Sequence, residues 1–291
     1  MPEPKITQPM IDAYDEYTHL TLDRRGFMEK LTQLAGSGTA AAVIAPMLAA
    51  NPARAAVVPE TDDRITTQTI TYPGAKGEMT GYLAQPVGQS GQLPTVIVIH
   101  ENRGLNAHIE DVARRLAVEG FMALAPDYLS PLGGTPDDED KAREMIGQLD
   151  AGDVADDGIA TIAYLQAHER SNGNVGAVGF CWGGGAVNNL AVKASSLDAA
   201  VAYYGRQPDP SEVSRISAPL LLHYAGEDSR INAGIDAYRQ ALEAADKNFT
   251  IHVYDGVQHA FNNDTSAARY DEQAAKLAWD RTVAFLKLEL T

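Results

Sequence analysis

The chain has 291 residues, 45% of them hydrophobic, so it is long enough to bury a full core in one large domain or in two smaller ones. Its 39 acidic residues outnumber its 23 basic residues, which gives a formal net charge of −16. Since no Lys- or Arg-rich run is present to neutralise phosphates, nucleic acid is not an expected partner.

Residues 1–55 have the pattern of an export signal. The pair Arg24-Arg25 precedes the weakly polar stretch Leu31 to Ala50, and Ala53-Arg54-Ala55 then offers a site for signal peptidase. The pattern resembles the leaders that direct folded bacterial proteins into twin-arginine export. We therefore expect the twin-arginine export machinery to be a partner, cleavage to occur before Ala56, and the mature protein to be periplasmic or secreted.

A membrane anchor is the alternative interpretation of this stretch. Thr32, Gln33, Ser37 and Thr39, together with two glycines, make it polar for a membrane span. No stable membrane anchor is therefore expected.

From Thr66 onward, strand-like runs alternate with helix-like runs. The expected strands are Gln68 to Tyr72, Thr80 to Gln85, Thr95 to His100, Phe121 to Ala125, Val175 to Phe180, Ala199 to Tyr204, Leu220 to Tyr224 and Thr250 to Tyr254. The expected helices are Ile109 to Glu119, Asp157 to Ala167, Ile231 to Ala245 and Ala274 to Leu288. The first two strands suit an antiparallel hairpin. The alternation after them predicts an α/β fold in one domain, 56–291, with a mainly parallel sheet and helices on both faces.

One segment breaks this alternation. Ser130 to Asp153 contains Pro131-Leu132-Gly133-Gly134, an acidic run from Asp137 to Asp140, and then an amphipathic stretch. A small lid and a surface excursion with a solvated acidic face are both compatible with this pattern.

The only cysteine, Cys181, lies in the run Gly179-Phe180-Cys181-Trp182-Gly183-Gly184, between an expected strand and a helix-compatible segment. A nucleophile between glycines at a strand-to-helix turn is the pattern of a nucleophile elbow, here with Cys in place of Ser. A small buried core cysteine is the alternative, and the flanking glycines argue against it. One cysteine cannot form an internal disulfide.

A thiol nucleophile needs a base and a third group that orients the base. Asp228 and His259 each follow an expected strand and a Gly-containing turn, in the chain order nucleophile, acid, histidine. Because the carboxyl ends of parallel strands meet at one edge of a sheet, the three side chains are expected to lie together. Taken singly, Asp228 could be a helix N-cap and His259 an ordinary loop histidine.

The remaining histidines have no comparable setting and are expected to be surface or strand residues. They are His19, His100, His108, His168, His223 and His252. No pair has metal-ligand spacing, so neither a metal nor an organic cofactor is expected.

The motifs GFCWGG, AGED and VQHAF are similar to those of the dienelactone hydrolase family of the α/β-hydrolase superfold, over roughly Gln68 to Leu290. The resemblance implies an α/β-hydrolase fold, a triad of Cys181, His259 and Asp228, and an oxyanion hole formed by the backbone N–H groups of Trp182 and Asn102.

The resemblance also implies that Glu101, in His100-Glu101-Asn102-Arg103-Gly104, contacts the resting thiol and gates thiolate formation. Independently, a carboxylate at the end of an apolar strand is expected to be partly buried and able to hold a proton near the sulfur. A solvated loop glutamate is the alternative.

The chain departs from the family at the substrate-binding positions. Well-studied members look to use two arginines for a substrate carboxylate, and one of those positions, four residues after the histidine, is Asn263 here. The other falls in the region Asp137 to Asp140, near Lys141 and Arg143. Arg103 and Arg206 are therefore the candidates for binding an anionic substrate.

These patterns favour a hydrolase that cleaves a small-molecule carboxylic ester or lactone through a cysteine thioester. Two other classes remain. A catalytically silent α/β-hydrolase-like binding protein would keep the pocket without the chemistry. A thiol redox protein is disfavoured, because no second cysteine is present to resolve an oxidised intermediate.

Overall fold

The structure, a computed structural model, describes residues 5–19, 21–49 and 56–291. The strands are β1 (Ile65–Pro73), β2 (Glu78–Pro86), β3 (Leu93–Ile99), β4 (Met122–Pro126), β5 (Ser171–Phe180), β6 (Ala199–Tyr203), β7 (Leu220–Glu227) and β8 (Phe249–Gln258). The helices are α1 (Gln8–Thr18), α2 (Arg24–Ala35), α3 (Gly38–Leu48), α4 (Ala107–Val118), α5 (Glu139–Ile146), α6 (Ala151–Gln166), α7 (Trp182–Lys193), α8 (Ser229–Asn232), α9 (Ile235–Ala244) and α10 (Glu272–Leu290).

The strands form one sheet in the order β1-β2-β4-β3-β5-β6-β7-β8. β1 and β2 make the expected antiparallel hairpin, and β2 also pairs antiparallel with β4. From β4 to β8 every neighbouring pair is parallel. This topology confirms the predicted mainly parallel sheet, and the eight strands lie where the apolar runs placed them.

Side chains of the central strands alternate between two buried clusters, one on each face of the sheet. In β3, Ile97 and Ile99 belong to one cluster, while Val96 and Val98 belong to the other. Residues of α6, α7 and α9 complete the first cluster, and residues of α4 and α10 complete the second. Burial on both faces explains why these strands are continuously apolar rather than alternately polar.

The segment Ser130 to Asp153 packs on the domain rather than extending into solvent. It contains one short 3₁₀ turn, then α5, whose first turn is capped by the side chain of Asp138. Ala142 and Ile146 of α5 are buried against Leu129 and Trp182. Part of its acidic run caps α5 or forms ion pairs with arginines. The segment therefore forms a packed wall beside the end of β5.

Residues 8–48 fold into α1, α2 and α3, which share an apolar cluster of their own. Its aromatic members are Tyr14, Tyr17 and Phe27, and the rings of Tyr17 and Phe27 stack at 4.8 Å. The predicted cleavage motif Ala53-Arg54-Ala55 lies outside the described residues.

Among the described residues, no single helix has the length and apolar character needed to cross a membrane. The helices α2 and α3 pass that test only as a pair, and they are bent by 113° at the break between them.

Cys181 stands at the sharp turn between β5 and α7, with backbone angles φ 55° and ψ −114°. The turn brings backbone so close to backbone that a side chain would not fit beside the nucleophile. A Cβ at Gly179 would lie 2.2 Å from the carbonyl oxygen of Gly183, and a Cβ at Gly183 would lie 2.3 Å from that of Ile99. The expected nucleophile elbow is therefore present in the backbone geometry.

Gly183→Ala is expected to lower the free energy of unfolding by about 2 kcal/mol or more, because the new methyl group meets rigid backbone. Gly185→Ala is the matched control in the same helix. Its Cβ would meet nothing nearer than 3.5 Å, and alanine is favoured over glycine in a helix by about 1 kcal/mol. Urea unfolding followed by far-UV circular dichroism would measure both. Equal stability of the two variants would contradict this account of the turn.

Candidate active site

The pair formed by Asp228 and His259 is the central polar contact of the site. Nδ1 of His259 lies 2.5 Å from Oδ2 of Asp228, and both residues are buried. Asp228 follows β7, and its other oxygen accepts a hydrogen bond from the backbone N–H of Ile231 at 3.2 Å. The carboxylate is thus both the N-cap of α8 and the partner of the histidine, so the two interpretations of Asp228 are compatible.

His259 lies beside the nucleophile. A ring nitrogen of His259 lies within 4.8 Å of Sγ of Cys181. Since Nδ1 is held by Asp228, Nε2 is the nitrogen available for proton transfer, and it is buried without a hydrogen-bond partner among the described residues. The structure therefore brings together the three residues that the motifs predicted.

The charges of the pair favour a protonated histidine. Burial by itself lowers the pKa of His259, but the neighbouring charges of Cys181 and Asp228 outweigh it and raise that pKa to about 10. Burial likewise raises the pKa of Asp228, while the charge and hydrogen bond of His259 hold it below its ordinary value. Asp228 and Cys181 thus both favour the positive form of His259.

Glu101, two residues after the end of β3, is buried, so the interpretation as a solvated loop glutamate is wrong. Its Oε2 accepts a hydrogen bond from Nδ2 of Asn263 at 2.8 Å. Asn263 therefore holds the carboxylate in place. A role for Glu101 in gating the thiol stays a prediction of the family resemblance.

The two proposed oxyanion donors lie at the ends of β3 and β5. Trp182 is the first residue of α7, so its backbone N–H has no acceptor inside the helix. Its indole ring stacks on the buried ring of His100 with centroids 5.3 Å apart. The side chain of Asn102 donates to the backbone oxygen of Thr18. Both residues line the same cavity as Cys181.

The cavity has a volume of about 710 Å³, within the range of about 300–1,000 Å³ common for small-molecule sites. It is lined by Cys181, Trp182 and His259 on the sheet side and by Ile146 and Leu149 from the wall that contains α5. The cavity has room for a small molecule beside the thiol.

Of the two arginines proposed for an anionic substrate, only Arg206 lines the cavity. Arg103 is buried away from it, donating to the hydroxyl of Tyr14 and lying 3.4 Å from Oε2 of Glu139. Arg143 and Arg230 line the cavity as well. Arg143 is already engaged with Asp140 and with the ring of Tyr17, whereas Arg206 and Arg230 are exposed.

Sequence reasoning missed His19, and the expectation that it is a surface or strand residue was wrong. The residue follows α1, lines the cavity, and places Nε2 3.5 Å from Sγ of Cys181. No pair of histidines has metal-ligand spacing along the chain, but the fold brings ligand atoms of His19, Cys181 and His259 within 4.8 Å of one another. No local motif could have revealed a contact between residues 162 positions apart.

Tyr204 was also missed as a site residue. It follows β6 with φ 39°, lines the cavity, and its buried ring lies 4.9 Å from that of His259. Its hydroxyl has no hydrogen-bond partner in the part of the chain that the structure describes. The positive φ of a non-glycine residue at a strand end was the only trait that set this position apart, and it is visible only in the fold.

Comparison with known proteins gives a consistent match. Residues 79–290 match the model of the Dienelactone hydrolase family. The putative carboxymethylenebutenolidase of Escherichia coli (strain K12) is 32% identical over 254 residues, which cover 82% of this chain and 93% of that protein. A protein of the same name from Saccharolobus solfataricus is 32% identical over 256 residues, covering 75% and 97%.

A solved structure has a fold similar to that of this chain. The crystal structure of a putative dienelactone hydrolase from Klebsiella pneumoniae has a TM-score of 0.71 and 32% sequence identity, covering 77% of this chain and 98% of that one. These matches confirm the family resemblance and the α/β-hydrolase fold.

Proposed function

The chain belongs to the dienelactone hydrolase family, and we propose that it hydrolyses a carboxylic ester or lactone through a thioester on Cys181. One observation carries the proposal. The thiol lies on a sharp elbow at the cavity, beside a buried histidine whose far nitrogen is held 2.5 Å from Asp228. Position, base and orienting group are thus present together.

The proposed reaction has two halves. In the first, the Cys181 thiolate attacks the carbonyl carbon, and the oxyanion is stabilised by the N–H groups of Trp182 and Asn102. Such donors are each worth about 3–4 kcal/mol. The imidazolium of His259 then protonates the leaving alkoxide, which leaves an acyl thioester. In the second, neutral His259 takes a proton from water as the water oxygen attacks the thioester carbon. The carbon–sulfur bond then breaks, the carboxylic acid leaves, and the Cys181 thiolate and the His259 imidazolium are restored.

Cation placement supports an anionic substrate. The protein as a whole is strongly acidic, yet Arg143, Arg206 and Arg230 line the cavity, with Asp209 as the acidic residue of its rim. Because Arg143 is already paired with Asp140 and Arg230 donates to Nε2 of His19, the exposed Arg206 is the cation best placed to meet a substrate carboxylate. A carboxylate-bearing ester or lactone would gain this attraction, and a neutral ester would not.

The full chain is expected to hydrolyse p-nitrophenyl acetate with an initial burst, and mass spectrometry of the quenched protein should show one acetyl group on Cys181. Cys181→Ala should lose both signals, and Cys181→Ser should lose most turnover, because the site is arranged for a thiol. If neither a burst nor an effect of Cys181→Ala is found, the silent binding protein becomes the better interpretation.

Glu101→Gln in the full chain tests whether Glu101 gates thiolate formation. Because an amide cannot hold a proton near the sulfur as a carboxyl group can, the substitution is expected to raise the rate at which iodoacetamide alkylates resting Cys181. An unchanged rate would leave Glu101 with only a structural role.

Arg206→Gln is expected to raise KM several-fold for the p-nitrophenyl monoester of succinate while leaving KM for p-nitrophenyl acetate unchanged. Arg215→Gln is the matched control, because Arg215 is exposed and pairs with Glu212 outside the cavity. Steady-state kinetics with both esters would measure this. Equal effects of the two substitutions would remove Arg206 from substrate binding.

We also propose that the chain is exported by the twin-arginine route to the periplasm or beyond. Arg24 and Arg25 support this, because their side chains are 79% and 87% exposed at the start of α2. Lys at both positions should retain the chain in the cytoplasmic fraction, whereas Arg64→Lys should not. N-terminal sequencing of the exported wild type should begin at Ala56, and export of the double variant would contradict the route.

A further inference from the structure

The N-terminal arm, defined here as residues 8–19, is held on the domain by buried charged and polar groups. Arg103 donates to the hydroxyl of Tyr14, and Nη1 of Arg269 lies 2.9 Å from Oδ1 of Asp15. Asn102 donates to the backbone oxygen of Thr18. Because Arg103, Arg269 and Tyr14 are buried, these contacts fix the end of α1 and the residue after it, His19, against the cavity.

His19 directs the lone pair of Nε2 toward both the thiol and the guanidinium of Arg230. Its Nδ1 lies 2.6 Å from the backbone oxygen of Asp15, which can only accept, so Nδ1 carries the hydrogen and Nε2 carries the lone pair. Nε2 is therefore the nitrogen through which His19 would bind a cation.

The spacing of the three ligand atoms suits a small tetrahedral cation. Sγ of Cys181 lies 3.5 Å from Nε2 of His19. Bonds of about 2.3 Å to sulfur and about 2.0 Å to nitrogen at a tetrahedral angle place those atoms about 3.5 Å apart. The nitrogen of His259 completes a triangle with all separations within 4.8 Å, so a shift of about 1 Å would bring it into the same shell.

Both histidines have the outer contacts of metal ligands. His259 is bonded through Nδ1 to a buried carboxylate, and His19 through Nδ1 to a backbone carbonyl. These are the partners that orient ligating imidazoles and set their tautomer. Nε2 of His259 is in addition buried and unpartnered among the described residues, which marks it as the nitrogen that a cation would take.

We propose that His19, Cys181 and His259 form a site for a soft divalent cation of the Zn²⁺ type, with the fourth position open to the cavity. The cation displaces the proton of the Cys181–His259 pair, and that proton leaves for solvent. Arg230, which donates to Nε2 of His19 at 2.8 Å, must move away, and its exposed position allows this.

The cation occupies the nucleophile and the base together, so the loaded chain is expected to be inactive and its arm pinned to the domain. Loss of residues 1–55 would remove His19. The site therefore belongs to the untrimmed chain.

The test uses the full chain, freed of metal by a chelator and titrated with Co²⁺ and Zn²⁺ without substrate. One equivalent of Co²⁺ should produce the visible bands of tetrahedral cobalt and a near-ultraviolet thiolate charge-transfer band. Competition against a chromogenic zinc chelator should give one tight Zn²⁺ site. His19→Ala should weaken it by at least tenfold, as loss of a ligand requires. His168→Ala, a histidine outside the cavity, should not.

Two outcomes would overturn the proposal: no thiolate band in the wild type, or the same affinity in wild type and His19→Ala. His19→Gln, with circular dichroism of both variants, separates loss of a ligand from loss of the fold. The burst assay is independent of this titration. A chain that binds the cation but forms no acetyl-enzyme refutes only the proposed reaction, and the reverse result refutes only the cation site.

Discussion

The contact on which the rest of the site depends is the backbone-to-backbone approach at the start of α7. The first turn of this helix lies against the ends of β3 and β5 so closely that Gly179 and Gly183 leave no room for a methyl group. That approach holds Cys181 at φ 55°, a conformation that costs about 1–3 kcal/mol and persists only where the surroundings enforce it. The packing of α7 against the sheet therefore holds the thiol at the wall of the cavity.

The charges around Cys181 then determine the reactivity of its thiol. His259 is buried between the carboxylate of Asp228 and the sulfur, so its positive form is stabilised on both sides. Glu101 is held nearby by Asn263. The arginines around the cavity add local positive charge to a protein whose net charge is −16. This local charge, rather than the net charge, favours binding of an anionic substrate.

The N-terminal arm changes how the first 55 residues are understood. As a sequence they have the pattern of a leader, yet in the full chain α1 forms ion pairs and hydrogen bonds with buried residues of the domain and places His19 beside the nucleophile. Thr18 and His19 form part of the wall of the cavity. An export signal and an active-site wall are compatible in a protein that folds before it is exported.

The sequence by itself determined the sheet and the core of the site. Apolar runs placed all eight strands, and the glycines around Cys181, together with the strand-end positions of Asp228 and His259, placed the three side chains at one edge, because local patterns and parallel topology are enough for that. Only the tertiary structure decided that His19, Tyr204 and Arg230 join them and that Arg103 does not reach the cavity. These outcomes depend on how a distant helix docks and which charges it buries, and no local spacing records such long-range packing.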